Sequence, residues 1–186
     1  SNEFTKSGYP LGIMVNCAGE RFVDEGADLR NYTYAAVGRS ILAQPGGTAF
    51  QIWDAKTTGW LRDEEYRREI VEWICADTVT GLAEECARHG LEDKSRFIDT
   101  ITRFNHAVDA AGPHNRLKDW NPAVKDGLST SGLEIPKSNW ALPIDTPPFL
   151  AVKVTAGITF TFGGLAVNPD TAAVLSAKTG REIPGL

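Results

Sequence analysis

The sequence predicts an α+β fold, and three observations carry that expectation. Short apolar runs of strand type occur at 12–17 (GIMVNC), 49–53 (AFQIW) and 149–155 (FLAVKVT). Two stretches with helical spacing, 78–88 and 93–108, sit together in the middle of the chain. The stretch 157–168 (GITFTFGGLAVN) alternates large apolar residues with Thr and Gly at period two. Helices grouped in the middle, with strands on either side of them, point to a helical layer with a small sheet beside antiparallel strands from the two ends of the chain.

In chain order, the opening twelve residues read as loop. A β-hairpin follows over 13–23, turning at Ala18-Gly19. The acidic stretch Asp24-Glu25-Gly26-Ala27-Asp28 leads into a helix expected over 32–43, which Pro45-Gly46-Gly47 ends. After the strand at 49–53, residues 54–63 start a short helix. The charge-dense 64–68 reads as a solvated turn, and 70–74 as a short run of undecided type. Thr78 or Thr80 can cap a helix that buries Leu82, Ala83, Cys86 and Ala87 and stops at Gly90. Asp93 can cap the next, with Phe97, Ile98, Ile101, Phe104, Asn105 and Val108 on one face and Gly112 beyond it. Residues 112–148 are rich in Pro, Gly, Asn, Ser and Asp, and a loop of that length is usually functional or lies over another domain. Turns at 169–173 and 178–180 separate short extended runs at the C-terminal end.

The chain has 186 residues, enough for one good core or two small domains. A net charge of -5 and the lack of a basic run argue against nucleic acid as a partner. No apolar run approaches the length of a membrane helix, about 18 residues, and no signal-peptide pattern appears. The expected location is therefore cytoplasmic, with no membrane segment. Cys17, Cys75 and Cys86 form no CxxC pair and read as reduced, buried thiols; no metal site is expected. The chain opens Ser-Asn without Met and closes on IPGL, which suggests a piece of a larger protein.

The ordered landmarks GIMVNCAGERFVDE, AFQIWD, TPPFLAVKVTAGITFTFGGLAVN and GREIPGL resemble the fumarate reductase/succinate dehydrogenase flavoprotein family over nearly the whole chain. DEGADLRNYTYAAVGRSILAQPGG and IPKSNWALPIDTPPF look most like its FAD-dependent tricarballylate dehydrogenase branch. The resemblance implies FAD as cofactor and a small polycarboxylate as substrate. It also implies leading strands at 1–30, a capping domain at 31–148, and return strands at 149–186 to a Rossmann-like FAD domain. The GxGxxG of that domain is absent from this sequence. The missing FAD-binding portion would then be a partner, and the fragment alone would be inactive and would not retain FAD.

By the same resemblance, Glu25 and Arg30 match the acids and Arg that relay a proton; from sequence alone a solvated acidic loop with a surface ion pair is the preferred reading, and the resemblance brings the relay level with it. Arg62 stands first for the proton-donating Arg, although Lys56, Thr57 and Thr58 occupy the nearer positions. Thr159, Phe160 and Thr161 would bind substrate, with Phe160 where relatives carry a His. Gly163 and Gly164 would let the flavin ring lie against the backbone. Two other readings stand beside this one. One is an inactive substrate-cap or interaction domain; the other is a ketosteroid dehydrogenase-like branch, which needs a Tyr-lined apolar pocket.

Overall fold

The computed structural model describes residues 6–112, 121–157 and 163–185. Four strands, β1 (Ile13–Val15), β2 (Thr48–Trp53), β3 (Ile74–Ala76) and β4 (Phe149–Thr155), form one antiparallel sheet in the order β1-β2-β4-β3. All three strand-type runs are strands. They do not form separate sets from the ends and the middle, however. The backbone of β2 pairs on both edges, with β1 at Ile13↔Ile52 and with β4 from Thr48↔Thr155 to Trp53↔Leu150. The expected hairpin keeps its turn, through Asn16 N–H to Glu20 O and Gly19 N–H to Asn16 O, but its returning arm is a single bridge, Val15↔Arg21.

The alternation along each strand sends side chains into two cores. Ile13, Val15, Phe50, Ile52, Phe149 and Ala151 face one side, and Met14, Ala49, Trp53, Leu150, Val152 and Val154 the other. Helices α4 (Val79–Arg88) and α5 (Lys94–Ala110) cover the first face. Both start where the sequence places them. Thr78 accepts from Gly81 N–H and Asp93 from Arg96 N–H, each satisfying an amide that the first turn leaves open. Phe97, Ile101, Phe104 and Val108 are buried, as their spacing predicts. Helix α1 (Arg30–Leu42) packs on the second face through Val37 and Ile41, and it begins two residues earlier than expected.

Two expectations are corrected here. Residues 64–68 are not a solvated turn: the single-turn helix α3 (Asp63–Tyr66) buries both Glu65 and Tyr66. The charge pattern misleads because Glu65 has hydrogen-bonding partners inside the protein and Tyr66 fits edge-on against Trp53, ring centroids 5.2 Å apart. Cys17 and Cys86 are buried thiols as expected, but Cys75 is exposed, since β3 lies at the sheet edge and turns that side chain outward.

The described part of the long loop, 121–148, has no helix or strand and is fastened by side chains instead. Asn105 and Ile144 exchange two hydrogen bonds, of 2.8 and 2.7 Å. Ser138 Oγ donates to Asp24 at 2.5 Å, and Asn139 Nδ2 to Gly26 O at 2.8 Å. Gly26 is required there, because a Cβ would stand 2.3 Å from Asn139 O. Lys137, 1% exposed, donates to Pro10 O at 2.7 Å and Gly12 O at 2.5 Å. Burial lowers its pKa from 10.5 to about 8, against the opposing pull of Glu25.

The chain divides into two compact units, one ending at Ala156 and the other beginning at Gly157. The second is held by bridges Val167↔Val174 and Leu175↔Glu182. No described helix is long and apolar enough to cross a membrane.

Lys137 gives a pH prediction. Its folded pKa lies below its unfolded value, so the unfolded chain binds more protons between pH 8 and 10.5 and stability rises with pH across that window. Relative to Lys137→Met, the wild-type unfolding free energy should climb across the window by an amount on the order of 3 kcal/mol. Urea denaturation at stepped pH values measures it; parallel curves for the two proteins would refute it.

Candidate functional site

Within the first unit lies a cleft of about 770 Å³. Four pieces of chain wall it. Ser7, Gly8, Pro10 and Leu11 come from the arm before β1, and Leu29–Tyr32 from the start of α1. Trp60, Leu61 and Arg62 follow helix α2 (Ala55–Thr58), and Pro122, Ala123 and Trp140 belong to the long loop. Local chemistry sets each piece. Asp54 caps α2 by accepting from Lys56 N–H, and it also accepts from Asp145 and Thr146 N–H. That turns the chain sharply after β2 and delivers Trp60–Arg62 to the cleft. Leu29, the residue before α1, has no side chain able to cap, so the first turn of α1 reaches the cleft with no side-chain acceptor on its amides.

Among the described residues the wall has two guanidinium groups, Arg30 and Arg62, and no carboxylate. Such a lining favours an anionic ligand. The two arginines differ. Arg62 is paired with Glu65 at 3.0 Å and Glu64 at 3.7 Å, and its side chain is about half exposed, 46%. Arg30 makes no ion pair with a carboxylate among the described residues; its Nη1 donates to Ser7 Oγ at 2.8 Å.

Ser7 links the two. Its N–H and its Oγ–H both donate to Glu65 Oε2 at 2.6 Å, while Glu65 Oε1 accepts from Arg62. A continuous chain Arg30–Ser7–Glu65–Arg62 therefore runs along one side of the cleft. Tyr66 extends the fastening. Its hydroxyl accepts from Gly8 N–H at 2.7 Å and donates to Gln51 Oε1 at 2.8 Å. Burial raises the Tyr66 pKa well above 10.0, which keeps that donor in place. Trp53 Nε1–H donates to Gly8 O at 3.0 Å.

Of the residues singled out by sequence, Arg30 and Arg62 meet in this cleft. Glu25 does not line it. Its carboxylate is buried and forms a bidentate pair with Arg21, at 3.1 and 2.5 Å, while Oε1 also accepts from Met14 N–H at 2.7 Å. Glu25 is therefore neither solvated nor paired with Arg30: its partner is Arg21, and the pair is buried, which corrects the expectation of a surface ion pair. Thr159, Phe160 and Thr161 lie outside the described residues, as does His114. Gly163 and Gly164 are exposed, with open space where a Cβ would stand, and Gly163 has φ +109°. That leaves room for a flat ring to approach the backbone. The phosphates find no glycine-rich turn in this sequence. Among the described residues no group of three or more His, Cys, Asp or Glu could hold a metal ion.

Sequence reasoning missed Ser7 and Glu65. Nothing marks Ser7. Glu65 had one signal, the adjacent Tyr66, an aromatic residue inside a charged run and close after Trp60-Leu61.

The chain matches the FAD binding domain family over residues 2–186. It is 28% identical over 177 residues to a Shewanella frigidimarina protein named "Probable fumarate reductase Ifc3", covering 94% of this chain and 24% of that protein. The open conformation of a flavocytochrome c3 fumarate reductase superposes with a TM-score of 0.64 at 26% identity, over 98% of this chain and 27% of that one. The 3-ketosteroid Δ1-dehydrogenase of Sterolibacterium denitrificans, solved with 1,4-androstadiene-3,17-dione, gives 0.61 at 25% identity, over 98% of this chain and 33% of that one. The chain therefore spans a quarter to a third of the length of these relatives.

Glu65→Gln removes the charge while keeping the shape. The Ser7 and Gly8 amides should then exchange with solvent at least tenfold faster, and the protein should lose about 1–3 kcal/mol of stability. Amide hydrogen exchange with a denaturant curve tests this; unchanged protection at Ser7 would show that Glu65 does not hold the arm.

Proposed function

Because the chain belongs to the FAD binding domain family, we propose that it supplies the substrate-facing part of an FAD-dependent oxidoreductase, with the Arg30 cleft as the place where a carboxylate substrate is bound. The observation that carries this is the cleft wall itself, which among the described residues has two guanidinium groups and no acid, one of the two without a carboxylate partner. FAD, when bound, accepts or supplies the hydride of the reaction. Oxidising a carbon–carbon single bond to a double bond removes that hydride from one carbon and a proton from its neighbour; reduction returns both.

The proton is the part of the chemistry that this chain can handle. Arg30 donates to Ser7 Oγ, and Ser7 donates to the buried Glu65. A proton-bearing group at the cleft is thereby joined through one hydroxyl to a carboxylate held out of water. Arg30 takes the first role and Arg62 a supporting one, since Glu64 and Glu65 already compensate the Arg62 charge. In this proposal the helices and loop within 31–148 act as the substrate cap, and Gly163-Gly164 face the flavin ring. Glu25 keeps the β1 arm in place through Arg21 and Met14 N–H and exchanges no proton with substrate.

A polycarboxylate of the tricarballylate kind would have to engage both arginines at once. A steroid-like substrate is supported by Tyr32 and the apolar residues of the wall and by the ketosteroid dehydrogenase likeness, but it would leave Arg30 without an anion.

In the full-length protein loaded with FAD, Arg30→Gln should lower turnover by about 10²–10⁴-fold, the range of a lost acid or base, and Arg62→Gln by less than about tenfold. Steady-state kinetics on a panel of unsaturated and saturated acids gives the comparison. Normal turnover in Arg30→Gln, or a larger loss in Arg62→Gln, would contradict the assignment.

A further inference from the structure

We infer, on the footing that this cleft is the substrate site, that its ligand is an amphipathic monocarboxylate: one carboxylate on an apolar, ring-sized body. Two observations converge on that class, and the volume of the cleft admits it.

The first is charge. Arg62 is compensated by Glu64 and Glu65, which leaves Arg30 as the one guanidinium in the wall without a carboxylate partner among the described residues. A carboxylate taken out of water needs a charged or hydrogen-bonding partner, and each further carboxylate would need its own. Arg30 can receive one, bidentately, through its planar fork. Among the described lining residues, second and third carboxylates would meet only Arg62, whose charge Glu64 and Glu65 already offset, and the uncharged groups of Ser7 and Asn31.

The second is the remainder of the wall. Tyr32 and Trp60 bring two aromatic side chains to one cleft, from α1 and from the segment after α2, while Trp140 of the long loop borders it but is buried, 2% exposed. Tyr32 stands two residues from Arg30 and is 76% exposed. An exposed aromatic side chain lining a cleft beside an arginine is suited to cover an apolar ligand whose acid end reaches that arginine.

The cleft volume, about 770 Å³, lies within the range of roughly 300–1,000 Å³ that takes small-molecule ligands. It admits a small tricarboxylate and an aromatic ring with a short acid side chain alike, since the two are of similar size; what separates them is that the second sets an apolar body against the apolar wall while its acid reaches Arg30.

The test is calorimetric titration of the chain with 3-phenylpropanoate, tricarballylate and riboflavin, with a thermal melt on every variant to show that it is folded. The expected result is that 3-phenylpropanoate binds at least tenfold more tightly than tricarballylate. Arg30→Gln should weaken it tenfold or more, Arg30→Lys less, and Trp60→Ala severalfold. Tighter or equal binding of tricarballylate overturns the inference. So does phenylpropanoate binding that ignores Arg30→Gln, or riboflavin displacing the acid, which would give the aromatic wall to the cofactor. Binding of no acid at all also overturns it. The oxidoreductase reading fails separately, if the full-length protein loaded with FAD turns over none of a broad panel of saturated and unsaturated acids.

Discussion

The cleft depends on a buried carboxylate. Glu65 is 1% exposed, and an unpaired charge at such a depth would cost several kcal/mol. Three hydrogen bonds offset that cost: two from Ser7, through its N–H and its hydroxyl, and one from Arg62. Because the donors come from the arm before β1 and from the turn that opens α3, satisfying one charge ties two walls together. Tyr66 repeats the arrangement one residue on, joining Gly8 to Gln51 of the central strand. Arg30 then inherits its position from Ser7, whose hydroxyl accepts from the guanidinium and donates to Glu65.

A second set of buried polar groups fixes the opposite wall. The Arg21–Glu25 pair, Asp24 with Ser138, Asn139 with Gly26, and Lys137 on the carbonyls of Pro10 and Gly12 bind the long loop to the first thirty residues. Neither wall is made of long regular structure. Each is irregular backbone whose polar groups are satisfied by side chains, which is the condition for a loop to be buried at all. The sheet and helices α4 and α5 form the rigid body against which these loops are set. Such a division suits a binding site, because the wall can take the shape of a ligand without disturbing the core.

What was legible in the sequence follows from how local the signal is. The caps Thr78 and Asp93, the apolar face of α5 and the runs of β2 and β4 are set by neighbouring residues, and they stand where periodicity puts them. The ordered landmarks carried the family and its cofactor FAD, with which the family match agrees. Partners distant in sequence were not legible. Glu65 looked solvated because Ser7 lies 58 residues away, and Glu25 was linked to Arg30 because the loop conformation that favours Arg21 cannot be read from spacing. Arg30 and Arg62 were each picked out, but not that they share a cleft, since they follow different elements of the fold. The strands resolved into one sheet for a similar reason: pairing β2 on both edges is a tertiary choice.

The central claim is that Arg30 is the charge in this cleft that meets a ligand, while Arg62 is spent on holding Glu65. Nitrogen NMR of the arginine side chains during titration with 3-phenylpropanoate measures both at once. The account predicts that the Arg30 Nε and Nη signals shift and their protons exchange more slowly as the acid binds, with the Arg62 signals unmoved and still slowed by Glu65. Movement of Arg62 with Arg30 unchanged would contradict it.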